Sequence, residues 1–120
     1  MSYVDGFVIA IAKKNLPAYL KMAGKGAKIW KKHGALQYFE CAGDDLDVKN
    51  MGTPFPKLAK TKEGETVVFS WILYKSKAHR NAVNKKVMKD PQINEMCDPN
   101  KMPFEMKRMS YGGFKVMVKA

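Results

Sequence analysis

The sequence predicts an α+β domain of the ferredoxin-like type, with its elements in the order strand, helix, strand, strand, helix, strand. Two observations carry this prediction. The chain has 120 residues, which suits one domain with a single modest core. Runs of β-branched and aromatic residues alternate with stretches of helical periodicity in the stated order. Right-handed crossovers then place both helices on one face of a four-stranded antiparallel sheet.

The first strand is predicted over residues 3–13, where Val, Ile and Phe occupy both alternating faces, as in a strand covered on two sides. The first helix is predicted from an N-cap at Asn15 to a glycine stop at Gly34. Its apolar residues recur at helical spacing, and lysines occupy the other face. Gly24 and Gly26 lower the helix propensity, and we expect both to allow close approach of the helix to the sheet.

A second strand is predicted over residues 35–43, and residues 45–64 form a long loop rich in glycine and proline. A loop of this length is uncommon in so small a domain and is often functional, for example as a lid. The third strand, over residues 65–74, is the strongest strand signal in the chain.

The second helix is predicted between Ser76, as its N-cap, and Asp90, where an Asp-Pro pair ends it. Its predicted inward-facing residues are Ala78, Ala82, Val83 and Val87. A short turn or helix follows near residues 92–96. The last strand is predicted over residues 108–119, and the glycine pair inside it marks a bulge or a close backbone approach to a ligand or partner.

The first and third strands carry apolar residues on both faces, whereas two helices can cover only one face of a sheet. An exposed apolar surface of this size is typical of an association site. The sequence therefore predicts a homodimer, in which two sheets pack against each other about a two-fold axis.

The net charge of +11 is the most unusual bulk property, and only Arg80 and Arg108 among the 22 basic residues are arginines. Residues 6–39 and 75–89 contain no acid. Such a field attracts polyanions, but specific phosphate and base recognition favours arginine over lysine. We therefore interpret the lysines first as a solvated surface. Binding of RNA or another polyanion through lysine-rich helix faces is the alternative function.

The composition also bears on compartment. The longest apolar run has six residues, too few for a membrane span, and no secretory signal pattern opens the chain. Cys41 and Cys97 form no disulfide framework, and we expect both thiols to be inert. A cytoplasmic location is the expectation.

Three segments carry a resemblance to a known family: YVDGFVIAIAK near the start, ETVVFSWILYKSKAHRNAV in the middle and MPFEMKRMSYGGFKVMV near the end. Together they resemble the YbaA-like family of small bacterial proteins of unknown function, over nearly the whole chain. That family is similar to the dimeric α+β barrel superfamily, which includes small monooxygenases of antibiotic biosynthesis and NIPSNAP-like proteins. The resemblance implies a ferredoxin-like protomer, a sheet-to-sheet dimer and a cleft between the sheet and the helices or within the barrel. It implies no particular activity and no catalytic residues.

Asp5 is the first candidate for chemistry, because a carboxylate among apolar residues of a central strand is costly unless it is paired. One interpretation makes Asp5 a general base or a ligand anchor. The other makes it a structural residue that bonds to Arg108 or to backbone amides. If the chain is an enzyme, we expect Arg108 and Tyr111 to orient its substrate.

Four further strand residues are candidates for ligand binding, since polar groups among aromatics are typical of small-molecule sites. These are Glu40, Ser70, Trp71 and Tyr74. A paired carboxylate at Glu40, and aromatic residues in the core or the dimer contact, are the alternatives. The two histidines fall on different elements without metal-ligand spacing, so no metal and no cofactor are predicted, and His33 is expected to satisfy helix carbonyls. The leading hypothesis is small-molecule binding or a cofactor-independent enzyme.

Overall fold

The computed structural model describes residues 1–96 and 98–120, so the prediction for Cys97 lies outside the described residues. Four antiparallel strands form one sheet in the order β2-β3-β1-β4: β1 (Tyr3–Ala12), β2 (Gln37–Ala42), β3 (Glu65–Tyr74) and β4 (Ser110–Lys115). The α-helices are α1 (Leu16–Lys32), α2 (Phe55–Leu58), α3 (Lys77–Lys89) and α4 (Pro91–Met96). The predicted order of the main elements and the bounds of the third strand are those of the structure.

β4 is shorter at both ends than the predicted last strand. Arg108 belongs to a 3-10 turn, Met106–Arg108, that precedes the strand. At the other end Lys115 lies opposite Tyr3, where β1 begins, so residues beyond it have little of β1 left to pair with. Only the bond from the Val116 N–H to the Ser2 carbonyl continues the pairing. The strand ends because its neighbour ends.

α1 begins where the sequence predicts, but Asn15 does not cap it. The chain enters the helix through a 3-10 turn, and the Asn15 side chain instead donates to the Pro103 carbonyl at 3.1 Å. Gly26 is buried, and a Cβ there would lie 3.2 Å from the Met96 sulfur, so this glycine does permit close packing. Gly24 is exposed with open space around it, and the same expectation for it was wrong.

α1 and α3 lie together on one face of the sheet, which we call the helix face. Trp30 of α1 and Tyr74 of β3 both donate to the side-chain oxygen of Asn84 on α3, each at 3.2 Å, and so join the three elements. Val83 and Val87 of α3 are buried as predicted. Ala78 and Ala82 are exposed, because α3 turns only a narrow stripe towards the sheet. The caps are as predicted at Ser76, which accepts from the His79 N–H.

The opposite surface of the sheet, which we call the open face, carries large apolar side chains that neither α1 nor α3 covers. Phe39, Phe69 and Phe114 are 43%, 43% and 60% exposed. The loop over residues 43–64 packs on one end of this face, where the Phe55 ring of α2 lies 6.2 Å from the Phe69 ring. The predicted inequality between the two faces is therefore present in the protomer. Within the described residues, no helix combines the length and the apolar character that crossing a bilayer requires.

α4 is joined to α1 through Asp90, a buried acid for which only a role at the end of α3 was predicted. The Asp90 carboxylate lies 2.8 Å from the His33 ring nitrogen and 3.2 Å from the Lys32 ammonium, and it accepts from the Gln92 N–H. The His33 ring, which was expected to satisfy helix carbonyls, thus bonds to an acid instead. The His33 bond, then the Gln92 N–H, lowers the pKa of Asp90 to about 2.

We expect acid to destabilise the protein through Asp90. Its pKa is lower in the folded chain than its ordinary value of 3.8, so the unfolded chain takes up the proton first. The stabilisation is complete above about pH 4 and is lost as the pH falls towards about 2. Urea unfolding of Asp90→Asn should therefore depend less on pH in this window than that of the parent chain. Asp45→Asn, at an exposed loop position, is the control. An unchanged pH dependence in Asp90→Asn would contradict this role.

Candidate functional site

Asp5 lies on the helix face of β1, and its partner is Arg80 in the first turns of α3. The Arg80 Nε–H donates to Asp5 Oδ1 at 3.1 Å. The Asp5 side chain is only 9% exposed and that of Arg80 is 24% exposed. A buried carboxylate with a charged partner is stable in place, whereas removal of either partner would leave an uncompensated charge. The pair therefore fixes α3 over the start of β1.

The predicted contact between Asp5 and Arg108 is wrong. Arg108 makes a two-pronged pair with Glu65, at 2.7 and 2.8 Å, and also donates to the Lys60 carbonyl. Glu65 lies opposite Ala12, at the far end of β1 from Asp5, about 20 Å along the strand. Arg108, then the Lys62 N–H, lowers the pKa of Glu65 to about 2. Arg108 is thus a structural cation at the other end of the sheet.

Topology places Arg80, rather than Arg108, beside Asp5. Because β1 and β3 are antiparallel, the end of β3 lies at the start of β1, with Tyr74 opposite Tyr3. A helix that follows β3 closely must begin above that point, and Arg80 is in its first turns. The chain has only two arginines, and the antiparallel register of β1 and β3 was the signal that could have identified Arg80 as the partner of Asp5.

Gly113 of β4 makes room for the Arg80 guanidinium. It lies opposite Asp5, and a Cβ at this position would clash with Arg80 Nη2 and with the Tyr3 ring and hydroxyl. The guanidinium carbon lies 5.0 Å from the centre of the Tyr3 ring, within cation–π range. Gly113 is therefore a position of close approach, but the groups that approach it are Arg80 and Tyr3 of the same chain, rather than the predicted ligand or partner.

Beside this pair the helix face is uncovered along β4. Tyr111 stacks on Phe7 with ring centres 5.8 Å apart and planes 12° apart, yet remains 71% exposed. The helices cover the other three strands but not this strip. We call the resulting surface the β4 shelf. It is formed by Tyr3, Asp5, Phe7, Arg80, Tyr111 and Gly113.

Glu40 and Ser70 lie in a second polar cluster, deeper under α1. Glu40 accepts hydrogen bonds from Tyr19 at 2.6 Å and from Tyr38 at 2.7 Å. Burial, and then the neighbouring Glu40 carboxylate, raises the pKa of both tyrosines, so that each remains a hydrogen-bond donor. Ser70 is buried opposite Glu40 in the neighbouring strand. The structure thus occupies the Glu40 oxygens with hydroxyls of the chain itself.

Trp71 and Tyr74 lie on opposite faces of β3. Trp71 is on the open face, where it stacks on Phe39 with ring centres 4.4 Å apart. Tyr74 is fully buried on the helix face, near Asp5. Burial, and then the Asp5 charge, raises the pKa of Tyr74. Of the seven predicted site residues, Asp5 and Tyr111 belong to the β4 shelf, and Tyr74 and Ser70 lie in β3 opposite the shelf residues Tyr3 and Phe7.

Two cavities lie against the 43–64 loop, away from the shelf. One, of about 390 Å³, sits between the loop and the open face, with Phe55, Val67 and Phe69 in its wall. The other, of about 720 Å³, is formed by the loop residues themselves. The loop thus packs on the side of the sheet opposite Asp5, and it does not form a lid over that residue. Cys41 is exposed at the rim of the smaller cavity, rather than buried.

Among residues 1–96 and 98–120, no three His, Cys, Asp or Glu side chains come close enough together to hold an ion.

Known proteins resemble this chain in sequence and in fold. A family described as "Protein of unknown function (DUF1428)" matches residues 2–106. The uncharacterized protein YbaA of Escherichia coli K12 is 45% identical over 118 residues, which are 98% of each chain. The predicted resemblance to YbaA-like proteins is confirmed.

Solved structures with low sequence identity share the fold. A NIPSNAP domain protein from Burkholderia xenovorans superposes with a TM-score of 0.62 at 18% identity, over 98% of this chain and 97% of the other. A dimeric ferredoxin-like protein from an uncultured marine organism gives a TM-score of 0.54 at 13% identity, over the whole of both chains. The predicted fold class, a ferredoxin-like α+β domain, is confirmed.

We expect Gly113→Ala to destabilise the protein by about 1–3 kcal/mol, because the added methyl group must displace Arg80 or Tyr3. Thermal or urea unfolding measures the effect. Gly24→Ala is the matched control, since its methyl group meets open space and alanine favours a helix. Equal stability of Gly113→Ala and the parent chain would contradict the close packing at this position.

Proposed function

The chain belongs to the DUF1428 family of proteins of unknown function, and we propose that it is a cytoplasmic homodimer that binds a small organic ligand on the β4 shelf. The observation that carries the proposal is the Asp5–Arg80 pair beside an uncovered aromatic strip. Partly exposed charge next to exposed aromatic surface is the combination from which small-molecule sites are built.

Within this proposal Asp5 holds Arg80 in position and is neither a general base nor a direct ligand contact. Its Oδ1 accepts from Arg80, and burial leaves little of the carboxylate accessible to a ligand. The group presented on the shelf is the guanidinium, which carries no proton that it can give up at neutral pH. Binding is therefore favoured over acid–base catalysis at this position. Tyr111 keeps its predicted role as a residue that orients the ligand.

The open face supports the homodimer. Strand alternation puts the aromatic rings of Phe39, Phe69 and Phe114 on one surface, each more than two-fifths exposed. Such a patch on a monomer is costly in water, and a second copy of the same sheet covers it with a self-complementary surface. The solved structure described as a dimeric ferredoxin-like protein has the same protomer fold.

The ligand proposal is tested with a panel of neutral, cationic and anionic fragments, each followed by backbone amide NMR of the parent chain. We expect at least one class to shift the amides of Phe7, Arg80, Tyr111 and Gly113 together, and Tyr111→Ala to weaken that binding. Met88→Ala, an exposed change on α3, is the control and should leave it unaltered. Shifts confined to the 43–64 loop, or none at all, would contradict the proposal.

The dimer is tested with Phe114→Lys, which places a charge on the open face at its β4 edge while altering a side chain that is 60% exposed in the protomer. We expect sedimentation velocity to find a dimer for the parent chain and a folded monomer for the variant. Met88→Lys, exposed to the same extent on the helix side, should remain dimeric. A monomeric parent chain would overturn this part of the proposal.

A second candidate function is binding of RNA or another polyanion by the outer surface of the helix layer. α1 and α3 contain no acid, and their lysines are all exposed. Among the described residues, only Lys32 of this set pairs with a carboxylate, that of Asp90. RNA binding through these lysines would weaken steeply with added salt. Failure to bind a generic RNA at about 50 mM salt would exclude this candidate and leave the shelf proposal intact.

A further inference from the structure

We propose that the ligand of the β4 shelf is an aromatic carboxylate, with its carboxylate on Arg80 and its ring against Tyr111. This inference rests on the proposed function and specifies the chemical class of its ligand. It follows from the hydrogen-bond capacity that Arg80 retains and from the position of the exposed ring relative to it.

Arg80 retains donors for an anion. A guanidinium has five N–H groups. One is used by Asp5 through Nε, one by the Asn81 side-chain oxygen through Nη1 at 2.8 Å, and one by the Tyr3 hydroxyl through Nη2 at 3.4 Å. Two N–H groups therefore have no acceptor in these contacts, on a side chain that is still 24% exposed. Carboxylates match the spacing of guanidinium donors.

The charge of the shelf also favours an anion. Asp5 balances Arg80, and its buried carboxylate turns towards the guanidinium rather than towards solvent. Lys115 lies on the same face of β4, one alternation beyond Gly113, and is exposed. It adds a positive charge to the helix face of β4, on the strand that carries Gly113 and Tyr111. A cationic ligand would be repelled by Arg80 and Lys115, and the buried Asp5 carboxylate would not be accessible to pair with it.

The ring position supplies the second half of the specificity. Tyr111 and Gly113 are two residues apart on the same face of β4, so the exposed ring lies about 7 Å along the strand from the point where Arg80 crosses. Phe7 supports the Tyr111 ring from the neighbouring strand and leaves it exposed to stack with a ligand. A planar ring joined to a carboxylate by a short spacer contacts both groups at once.

The test compares three probes on the parent chain: 3-phenylpropanoate, its neutral amide 3-phenylpropanamide, and propanoate, which lacks the ring. Amide NMR titrations give the dissociation constants and the residues affected. We expect 3-phenylpropanoate to shift Phe7, Tyr111 and Gly113, and the other two probes to bind at least about tenfold more weakly, since each loses one of the two contacts. Equal affinity for the acid and its amide would overturn the inference.

Two variants locate the contacts. Arg80→Lys keeps the charge but loses the planar guanidinium donors. It should weaken the binding of 3-phenylpropanoate about tenfold and leave the affinity for 3-phenylpropanamide unchanged. Tyr111→Ala, at a position 71% exposed, should weaken both aromatic probes and not propanoate. An unchanged affinity of 3-phenylpropanoate in Arg80→Lys would contradict the assigned contact.

Failure of this inference is distinguishable from failure of the proposed function. If neutral or cationic fragments shift the shelf amides and 3-phenylpropanoate does not, the ligand class is wrong and the shelf remains a binding site. If no fragment of any charge shifts these amides, the proposed function and the inference both fail. The comparison of acid and amide on the parent chain needs no variant, so it holds even where a substitution at Arg80 prevents folding.

Discussion

The structure depends on one constraint: a single sheet has two faces, and this chain has helices for only one of them. Side chains alternate along a strand, so the apolar residues of β1 and β3 divide between the helix face and the open face. The first set, which includes Tyr74 of β3, is buried under α1 and α3, where it packs with Val83 and Val87 of α3. The second set includes Phe39, Phe69 and Phe114, which stay exposed because the chain has nothing comparable to place over them. Both the proposed association surface and the candidate site result from this unequal cover.

The candidate site arises because the helix layer is also narrower than the sheet. α3 begins directly after β3 and crosses the start of β1, where the Asp5–Arg80 pair holds it. β4 lies beyond the reach of that layer, so its helix-face residues remain open to solvent. Gly113 lets Arg80 extend into this strip, and Tyr111 lies exposed beside it. A buried ion pair contributes little net stability, but here it fixes the direction of a partly exposed arginine.

Patterns of hydrophobicity predict the architecture because the helix and strand periods are strong over long segments. β3 was predicted to its exact bounds, and the division of apolar residues between two faces followed from strict alternation. Asp5 stood out correctly as a carboxylate that needs a partner. The partner itself was missed, since sequence separation carries no information on which of two arginines a fold brings near. Asn15 and His33 were misassigned for a similar reason: each bonds to a distant segment, Pro103 and Asp90, that local capping rules do not consider.

The proposed homodimer implies that the open face is stable only when a second copy covers it. Unfolding measured over a wide range of protein concentration tests this claim directly, because dimerisation couples folding to mass action. For a dimer, we expect the thermal midpoint of unfolding to rise steadily as the protein concentration increases from about 1 to about 100 µM. A midpoint that stays constant over that range, in a protein that sediments as a monomer, would contradict it.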